Sequence, residues 1–577
     1  MWKELFIADV VQLSSYLPEL TQWLPFDVSK KIAYDSLKKR VQQFDDQHYI
    51  TAIMRKNRPK IVVDFTLTQH IMTINLVLIA DDYRSWSMIV DELVILAKQH
   101  RMKILRLGFS RQVMTDYLVT KLTDQGFDVE TDDLVVQFDY PLIYYTGLVL
   151  GGGGAKGSYQ IGVWKALKEL NVTYELVSGT SVGALNGGLI IQDDLPSAIK
   201  MWETIATQDI LSVPISVVDT TDDFTLQQLM SHVQSFTLSA MKTVGADTTP
   251  LLNLIHELIH EEKIFQTDKK FFIVTTQAPM LTETVVSLSD MTIETLPKWL
   301  LASASFFPAM SACVIDGKYY VDGGYRNNLP SDVLLNEGAT EIITVNVKGP
   351  GFIKSSKMEV PVAVVNIESD WGLGNVLLFD SHRASWNLQL GYLEGLKAFG
   401  QLRGTKYSFP KIDFKRTAFN ASRRFIHYLQ QRLATVSSQE QITSSVVERL
   451  LQQGYNPSVL VVDLLEELAF LMVIDPTKVY SLAELGQAIV QRAHHLEATK
   501  TAPMMLSFKE WLIRYLDQID YLSPQQKLID MYQLLQNEEE KQLTLTKKEV
   551  TKHFHLLVTA IFLEYLGTAD TAGDKWK

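Results

Sequence analysis

The stretch LVLGGGGAKGSYQIGVWKALKELNVTYELVSGTSVGALNGG, residues 148–188, decides the fold of this chain. Leu148-Val149-Leu150 is a short apolar run that breaks into Gly151-Gly152-Gly153-Gly154-Ala155-Lys156-Gly157. Ile161, Trp164 and Leu167 then recur at helical spacing, which predicts a helix directly after the loop. Tyr174–Val177 reads as a second strand, and Gly179-Thr180-Ser181-Val182-Gly183 opens a second helix rich in small residues. Strand, glycine loop, helix, strand, serine turn and helix make a β-α-β unit. Its right-handed crossover places both loops at the carboxyl ends of parallel strands. The glycine loop can present backbone N–H groups to a ligand, because no Cβ stands in the way. Taken alone, Gly152-x-Gly154-x-x-Gly157 also fits a dinucleotide fingerprint, with Glu175 near the ribose-binding distance. Gly-x-Ser-x-Gly on a strand-to-helix turn is the nucleophile elbow, whose glycines leave room for the neighbouring strand and helix. Together the two loops predict a serine hydroxyl facing an oxyanion hole.

Outward from this unit, residues 147–348 alternate strand and helix, the signature of a parallel sheet covered on both faces. A serine nucleophile needs a proton acceptor, and no downstream histidine lies in a matching motif. Instead the run Lys318–Val321 leads into Asp322-Gly323-Gly324, a turn that could hold a carboxylate at a strand end. The nearest histidines, His256 and His260, lie well before it in His256-Glu257-Leu258-Ile259-His260. That pentapeptide matches the zinc-binding pattern H-E-x-x-H, although Leu251, Leu254, Leu258 and Ile259 equally describe an amphipathic helix with two exposed histidines.

With these residues assembled, the chain resembles the patatin-like phospholipase family, in a bacterial multidomain form, over roughly Tyr145 to Lys348. Four motifs carry the resemblance in family order: Gly152–Gly157, Gly179–Gly183, Ala302-Ser303-Ala304-Ser305-Phe306-Phe307-Pro308, and Asp322-Gly323-Gly324. Leu373-Gly374, Phe379-Asp380 and Gly391-Tyr392 extend it. The resemblance implies a three-layer α/β core with a mainly parallel sheet and a lipid acyl-ester hydrolase working through a Ser-Asp dyad. Ser181 would be the nucleophile, Asp322 the base, and Gly153, Gly154 and Ala155 the oxyanion hole. Gly152, Lys156, Gly157, Gly179, Gly183, Gly323 and Gly324 would support them. Lys156 stands where the family more often has arginine, keeping the charge without the bidentate geometry. Neither metal nor cofactor is required by such chemistry. The alternatives are a catalytically idle scaffold that binds partners through outer domains, and a zinc hydrolase built on His256 and His260.

The chain of 577 residues carries 54 Lys plus Arg against 66 Asp plus Glu, a formal net charge of −12. Such an acidic balance argues against nucleic acid as the main partner. A single cysteine, Cys313, excludes a disulfide framework and fits a reducing compartment. Acidic residues break the apolar N-terminal run, which argues against a signal peptide, and a cytoplasmic protein is expected. The expected division is an α+β domain over 1–140, the catalytic domain over 141–350, its extension over 351–410, and a helical domain over 411–577. The first of these resembles the acetyltransferase-like fold in degenerate form. Where that fold has Arg-x-x-Gly-x-Ala around a pyrophosphate, this chain has Arg84-Ser85-Trp86-Ser87-Met88-Ile89. Residues 397–432 hold nine Lys or Arg and one acid, interleaved with Tyr407, Phe409, Phe414, Phe419, Phe425 and Tyr428. They read either as a peripheral membrane contact that brings the lipid substrate within reach, or as a linker face paired with acids elsewhere.

Overall fold

The computed structural model describes residues 2–24, 29–80, 82, 85–131, 135–210, 245–354, 362–436, 446–498, 523–536, 552–568 and 576. Two compact units divide the chain. One comprises Asp91–Lys103 and Pro141–Gln401; the other comprises Met1–Val90, Ile104–Tyr140 and Leu402–Lys577.

The first unit is built on an eight-stranded sheet: β1 (Thr146–Leu150), β2 (Leu176–Thr180), β3 (Lys270–Ala278), β4 (Thr282–Ser287), β5 (Cys313–Ile315), β6 (Lys318–Asp322), β7 (Glu341–Asn346) and β8 (Ala363–Glu368). Its order is β5-β6-β3-β2-β1-β7-β8, with β4 paired to β3. The five strands from β3 to β8 in that order run parallel, β4 and β6 each pair antiparallel with β3, and β5 pairs antiparallel with β6. Every residue of β1 and β2 is buried, as strands sandwiched between two helical layers must be. Alternation sorts their side chains. Leu148, Leu150 and Val177 enter one core, while Val149 and Leu176 enter the other.

The larger core is covered by α1 (Ser158–Glu169), α2 (Val182–Ile191), α3 (Leu195–Thr204), α4 (Thr249–Leu258) and α5 (Leu296–Ala304). The opposite core is covered by α6 (Ser331–Asn336). The helix α7 (Ser381–Ala398) lies against α1 at backbone contact. A Cβ on Gly162 would stand 1.9 Å from the Leu388 carbonyl oxygen, and one on Gly391 would stand 2.1 Å from that of Tyr159. The three-layer α/β core expected from the β-α-β pattern is the fold observed.

The second unit holds a mostly antiparallel eight-stranded sheet whose centre is the hairpin Arg58–Thr68 and Ile71–Ala80. Ile71–Ile74 pairs in parallel with Ile104–Leu107. Arg84, the first residue of the stretch compared with a pyrophosphate loop, lies outside the described residues, and the helix Trp86–Gln99 begins two residues later. Helices dominate this unit after residue 411, among them Phe414–Val436, Leu460–Leu471, Leu482–Ala498 and Phe554–Gly567. A capping box forms at Ser481, whose N–H donates to Glu484 Oε2 at 2.7 Å while Oγ accepts the Glu484 N–H at 3.2 Å. Both ends of the chain build this unit. Glu4 pairs with Lys415 at 2.7 Å and Arg403 at 3.2 Å, and Asn456 donates to Asp9 at 2.7 Å.

These pairs show where the basic stretch 397–432 goes. Lys397 pairs with Glu394, Arg416 with Asp413 and Arg432 with Glu564, besides the two ions on Glu4. Tyr407, Phe409 and Phe425 are fully buried. Five of the nine basic residues are thus ion-paired within the protein. Among the described residues no helix is long and apolar enough to cross a membrane.

The α1–α7 contact yields a stability test. Gly162→Ala should lower stability by about 1–3 kcal/mol through overpacking, read as a lower midpoint in urea with an unchanged slope.

Candidate active site

The site forms where β1, β2 and β6 end. Ser181 follows β2 directly and caps α2, with φ 56° and ψ −127°. L-residues rarely adopt this region, and holding one there costs on the order of 1–3 kcal/mol. The flanking glycines make the turn possible by removing side chains from a space that does not exist. A Cβ on Gly179 would lie 2.3 Å from the Gly183 oxygen, and one on Gly183 would lie 2.2 Å from the Leu150 oxygen. The Ser181 N–H donates to Ser303 Oγ at 2.9 Å, and that hydroxyl donates onward to the Val274 carbonyl at 2.6 Å. Thus Ser303, at the end of α5, fixes the elbow from the adjacent strand.

Asp322 ends β6 and is 4% exposed. Its N–H donates to the Ser305 carbonyl at 2.8 Å, and its Oδ1 accepts the Gly324 N–H at 2.7 Å. Burial raises its pKa from 3.8 to about 6, opposed by hydrogen bonds from the Ser181 side chain and the Gly324 backbone. The Ser181 side chain stands near enough to the carboxyl to lower its pKa, and both residues line one cleft.

The glycine loop closes the third side. Gly152 N–H donates to the Asn328 carbonyl at 2.9 Å, and Ala155 N–H donates to the Val376 carbonyl at 2.8 Å. The Ala155 N–H is thereby taken by Val376, and Gly153 and Gly154 line the same cleft as Ser181 and Asp322. Gly157, behind the loop, accepts a bond from Asn186 at 2.9 Å, and Gln160 ties down the Gly151 carbonyl at 2.7 Å. Lys156 reaches the Lys348 carbonyl at 3.2 Å. The Gly323-Gly324 turn passes so close to β3 that a Cβ on Gly323 would lie 2.3 Å from the Val274 oxygen.

The cleft encloses about 950 Å3, part of it open to solvent. Its polar atoms gather at Ser181, Asp322 and Asn328, and its walls are Leu, Ile, Met, Trp and Phe side chains from α2, α3, α4 and the loop before α7. Apolar walls with a few convergent polar groups suit a largely hydrocarbon ligand.

Two residues central to this geometry escape sequence reasoning. Asn328 sends Nδ2 to the carbonyls of Gly152 at 3.3 Å and Gly349 at 3.2 Å, tying the glycine loop to the Asp322 turn. The Asn-Asn-Leu-Pro run gives a turn signal, but a partner 176 residues away leaves no local trace. Ser303 is quoted in a motif yet has no role until its two bonds are seen.

The competing motifs separate. The helix α4 ends at Leu258, and Ile259 is extended at φ −92° and ψ 120°. His256 and His260 are both exposed and do not share one continuous helix, as H-E-x-x-H zinc binding requires. No three His, Cys, Asp or Glu side chains are grouped to hold a metal among the described residues. Glu175, the ribose candidate, precedes β2 at the amino end of the strands and accepts the Thr146 N–H at 2.7 Å.

Residues 148–335 match the family model Patatin-like phospholipase. Patatin-like phospholipase domain-containing protein 6 of Homo sapiens is 32% identical over 206 residues, 35% of this chain and 13% of that protein. Lysophospholipase NTE1 of Mycosarcoma maydis is 29% identical over 206 residues, 35% of this chain and 10% of its own length. The chain thus spans only about an eighth of the curated relatives it matches. Among solved structures, VipD from Legionella pneumophila aligns over 78% of this chain and 96% of its own, at 14% identity and a TM-score of 0.29. The matched patatin-like segment contains the glycine loop from Gly151 onward, Ser181, Ser303, Asp322 and Asn328.

The buried carboxyl predicts a pH-dependent stability difference. Asp322 has a folded pKa above its unfolded value, so ionising it costs the fold above about pH 6 and nothing below about pH 4. Asp322→Asn should therefore be more stable than the parent at pH 7–8, by about 1–3 kcal/mol, with the advantage vanishing near pH 4. Chemical unfolding of both proteins across that range checks it.

Proposed function

We propose that this chain is a serine hydrolase of lipid acyl esters, working through Ser181 and Asp322. The observation that carries the proposal is the convergence of Ser181 and Asp322 in one apolar-walled cleft, with Gly153 and Gly154 lining the same space. The similarity of residues 148–335 to phospholipases and a lysophospholipase supports the same chemistry.

In the first half-reaction the Ser181 oxygen attacks the acyl carbonyl carbon as its proton passes to Asp322. The carbonyl oxygen gathers negative charge toward the N–H groups of Gly153 and Gly154, with the amino end of α1 beyond them. Asp322 then returns the proton to the departing alkoxide, releasing the alcohol and leaving an acyl-serine. Water repeats the sequence, giving its proton to Asp322 and freeing the fatty acid. An exposed carboxylate near pKa 4 is a weak base for a hydroxyl. Raising Asp322 to about 6 brings it nearer the working pH while keeping it ionised at neutrality.

Ser181→Ala should abolish labelling by a fluorophosphonate and lower ester hydrolysis at least about a thousandfold. Full hydrolysis by that variant would overturn the proposal. Asp322→Asn should lose about a hundredfold to ten-thousandfold, in kcat and kcat/KM together. In the parent, kcat/KM should rise with pH through about 6, because the base must be unprotonated to act. Activity should persist in strong chelator and in His256→Ala.

A further inference from the structure

We infer that α2 is the measuring edge of one acyl-chain subsite, and that Leu189 sets the longest chain the cleft holds straight. That the ligand is an acyl chain rests on the hydrolase proposal above; the position of the closed end does not. Ser181 caps the amino end of α2, and Leu185 and Leu189 follow it at successive turns on the same face. All three line the cleft. Eight residues at a rise of about 1.5 Å place Leu189 roughly 12 Å along the helix from the nucleophile.

The far end is closed by the segment after α4. Gln192, at the carboxyl cap of α2, donates through Nε2 to the Leu258 carbonyl at 2.8 Å and accepts the His260 N–H through Oε1 at 2.9 Å. These two bonds fasten Leu258–His260 across the end of α2. The break in α4 then turns Ile259 inward, 3% exposed, and leaves His260 outside. The floor lies tight on α2, because a Cβ on Gly188 would come within 3.0 Å of Ile259 Cδ1. The cleft thus has a reactive end and a closed apolar end on one rigid helix.

A straight hydrocarbon advances about 1.3 Å per carbon, from C–C bonds of about 1.5 Å set at tetrahedral angles. Roughly nine or ten carbons would reach the level of Leu189. Its side chain leans back toward the amino end of the helix and brings the stop to about eight to ten.

Soluble nitrophenyl esters of acyl length C4 to C16 read this directly. In the parent, kcat/KM should rise roughly fourfold per methylene up to the stop and level off beyond it. Leu189→Ala should move the break to longer chains by about two carbons, and Leu189→Trp should move it to shorter ones. The opposite directions keep the test sound if the Trp variant fails to fold, which a melting curve reports. A second series uses the Ser181→Ala protein and measures displacement of a fluorescent fatty acid by carboxylic acids of C4 to C16. The same break should appear there, without turnover. A break absent up to C16, or unmoved by Leu189→Ala, overturns the measuring edge in either series. Esters untouched by the parent, with a break still present in displacement, would instead overturn the hydrolase proposal and leave the subsite standing.

Discussion

The positive φ of Ser181 is the constraint on which the rest of the site depends. Only in that conformation does the chain leave β2, expose a hydroxyl, and enter α2 within one residue. The strain is met by contacts on every side: the Ser303 hydroxyl on its N–H, and Ala184 and Leu185 N–H groups on its carbonyl at 2.8 and 3.2 Å. The glycines at 179 and 183 let Leu150 and α2 approach to backbone contact, which brings the β1 loop beside the serine. Any side chain there would push β1 and α2 apart, and the glycine loop would move with β1. The local cost of one unfavourable torsion is thus offset by packing spread over three elements.

Burial does a second job at the same place. Apolar walls that suit a hydrocarbon also strip water from Asp322, and desolvation is the largest influence on its acidity. A more polar cleft would lower the carboxyl toward its ordinary range and, in the proposed mechanism, weaken it as a base. Binding preference and base strength are therefore coupled through one property, the dryness of the cleft. The Gly324 N–H donates to one carboxyl oxygen, the Ser181 side chain lies on the same group, and the Ser305 carbonyl holds the Asp322 backbone N–H.

The parts legible in the sequence are those whose physics is local. Gly-x-Ser-x-Gly between a strand and a helix announces a torsion, and the glycine loop after an apolar run announces a close backbone approach. The β-α-β spacing then fixes which ends of which strands meet, so the parallel core follows from connectivity alone. What stayed hidden depends on distant partners. Ala155 looks like any donor of the loop until Val376, far along the chain, takes its N–H. The H-E-x-x-H match assumes that a helix continues for five residues, yet α4 stops at Leu258 because Gln192 holds the following segment. Likewise, nothing local in the basic and aromatic stretch announces that Arg403 and Lys415 both pair with Glu4, some four hundred residues earlier.

A single helix accounts for the economy of this arrangement. The amino cap of α2 is Ser181, the proposed nucleophile, its first turns form a cleft wall through Val182 and Leu185, and its carboxyl cap Gln192 anchors the floor. Asn186, on the same helix, accepts the Trp202 indole N–H at 3.2 Å and donates to Gly157 at 2.9 Å, linking the opposite wall to the glycine loop. Had these features sat on separate loops, each would carry its own thermal displacement, and the distance from reacting atom to closed end would blur. On one ten-residue helix that distance is fixed by the backbone hydrogen-bond ladder itself. The small residues Gly187 and Gly188 are what allow so functional a helix to be buried. A Cβ at 187 would meet the Phe271 ring at 2.6 Å, so the helix can lie on β3 only where it has no side chain. The sequence Ala-Leu-Asn-Gly-Gly-Leu is therefore read twice by the fold: its small residues set how near α2 lies to the sheet, and its leucines set the shape of the space on the other side.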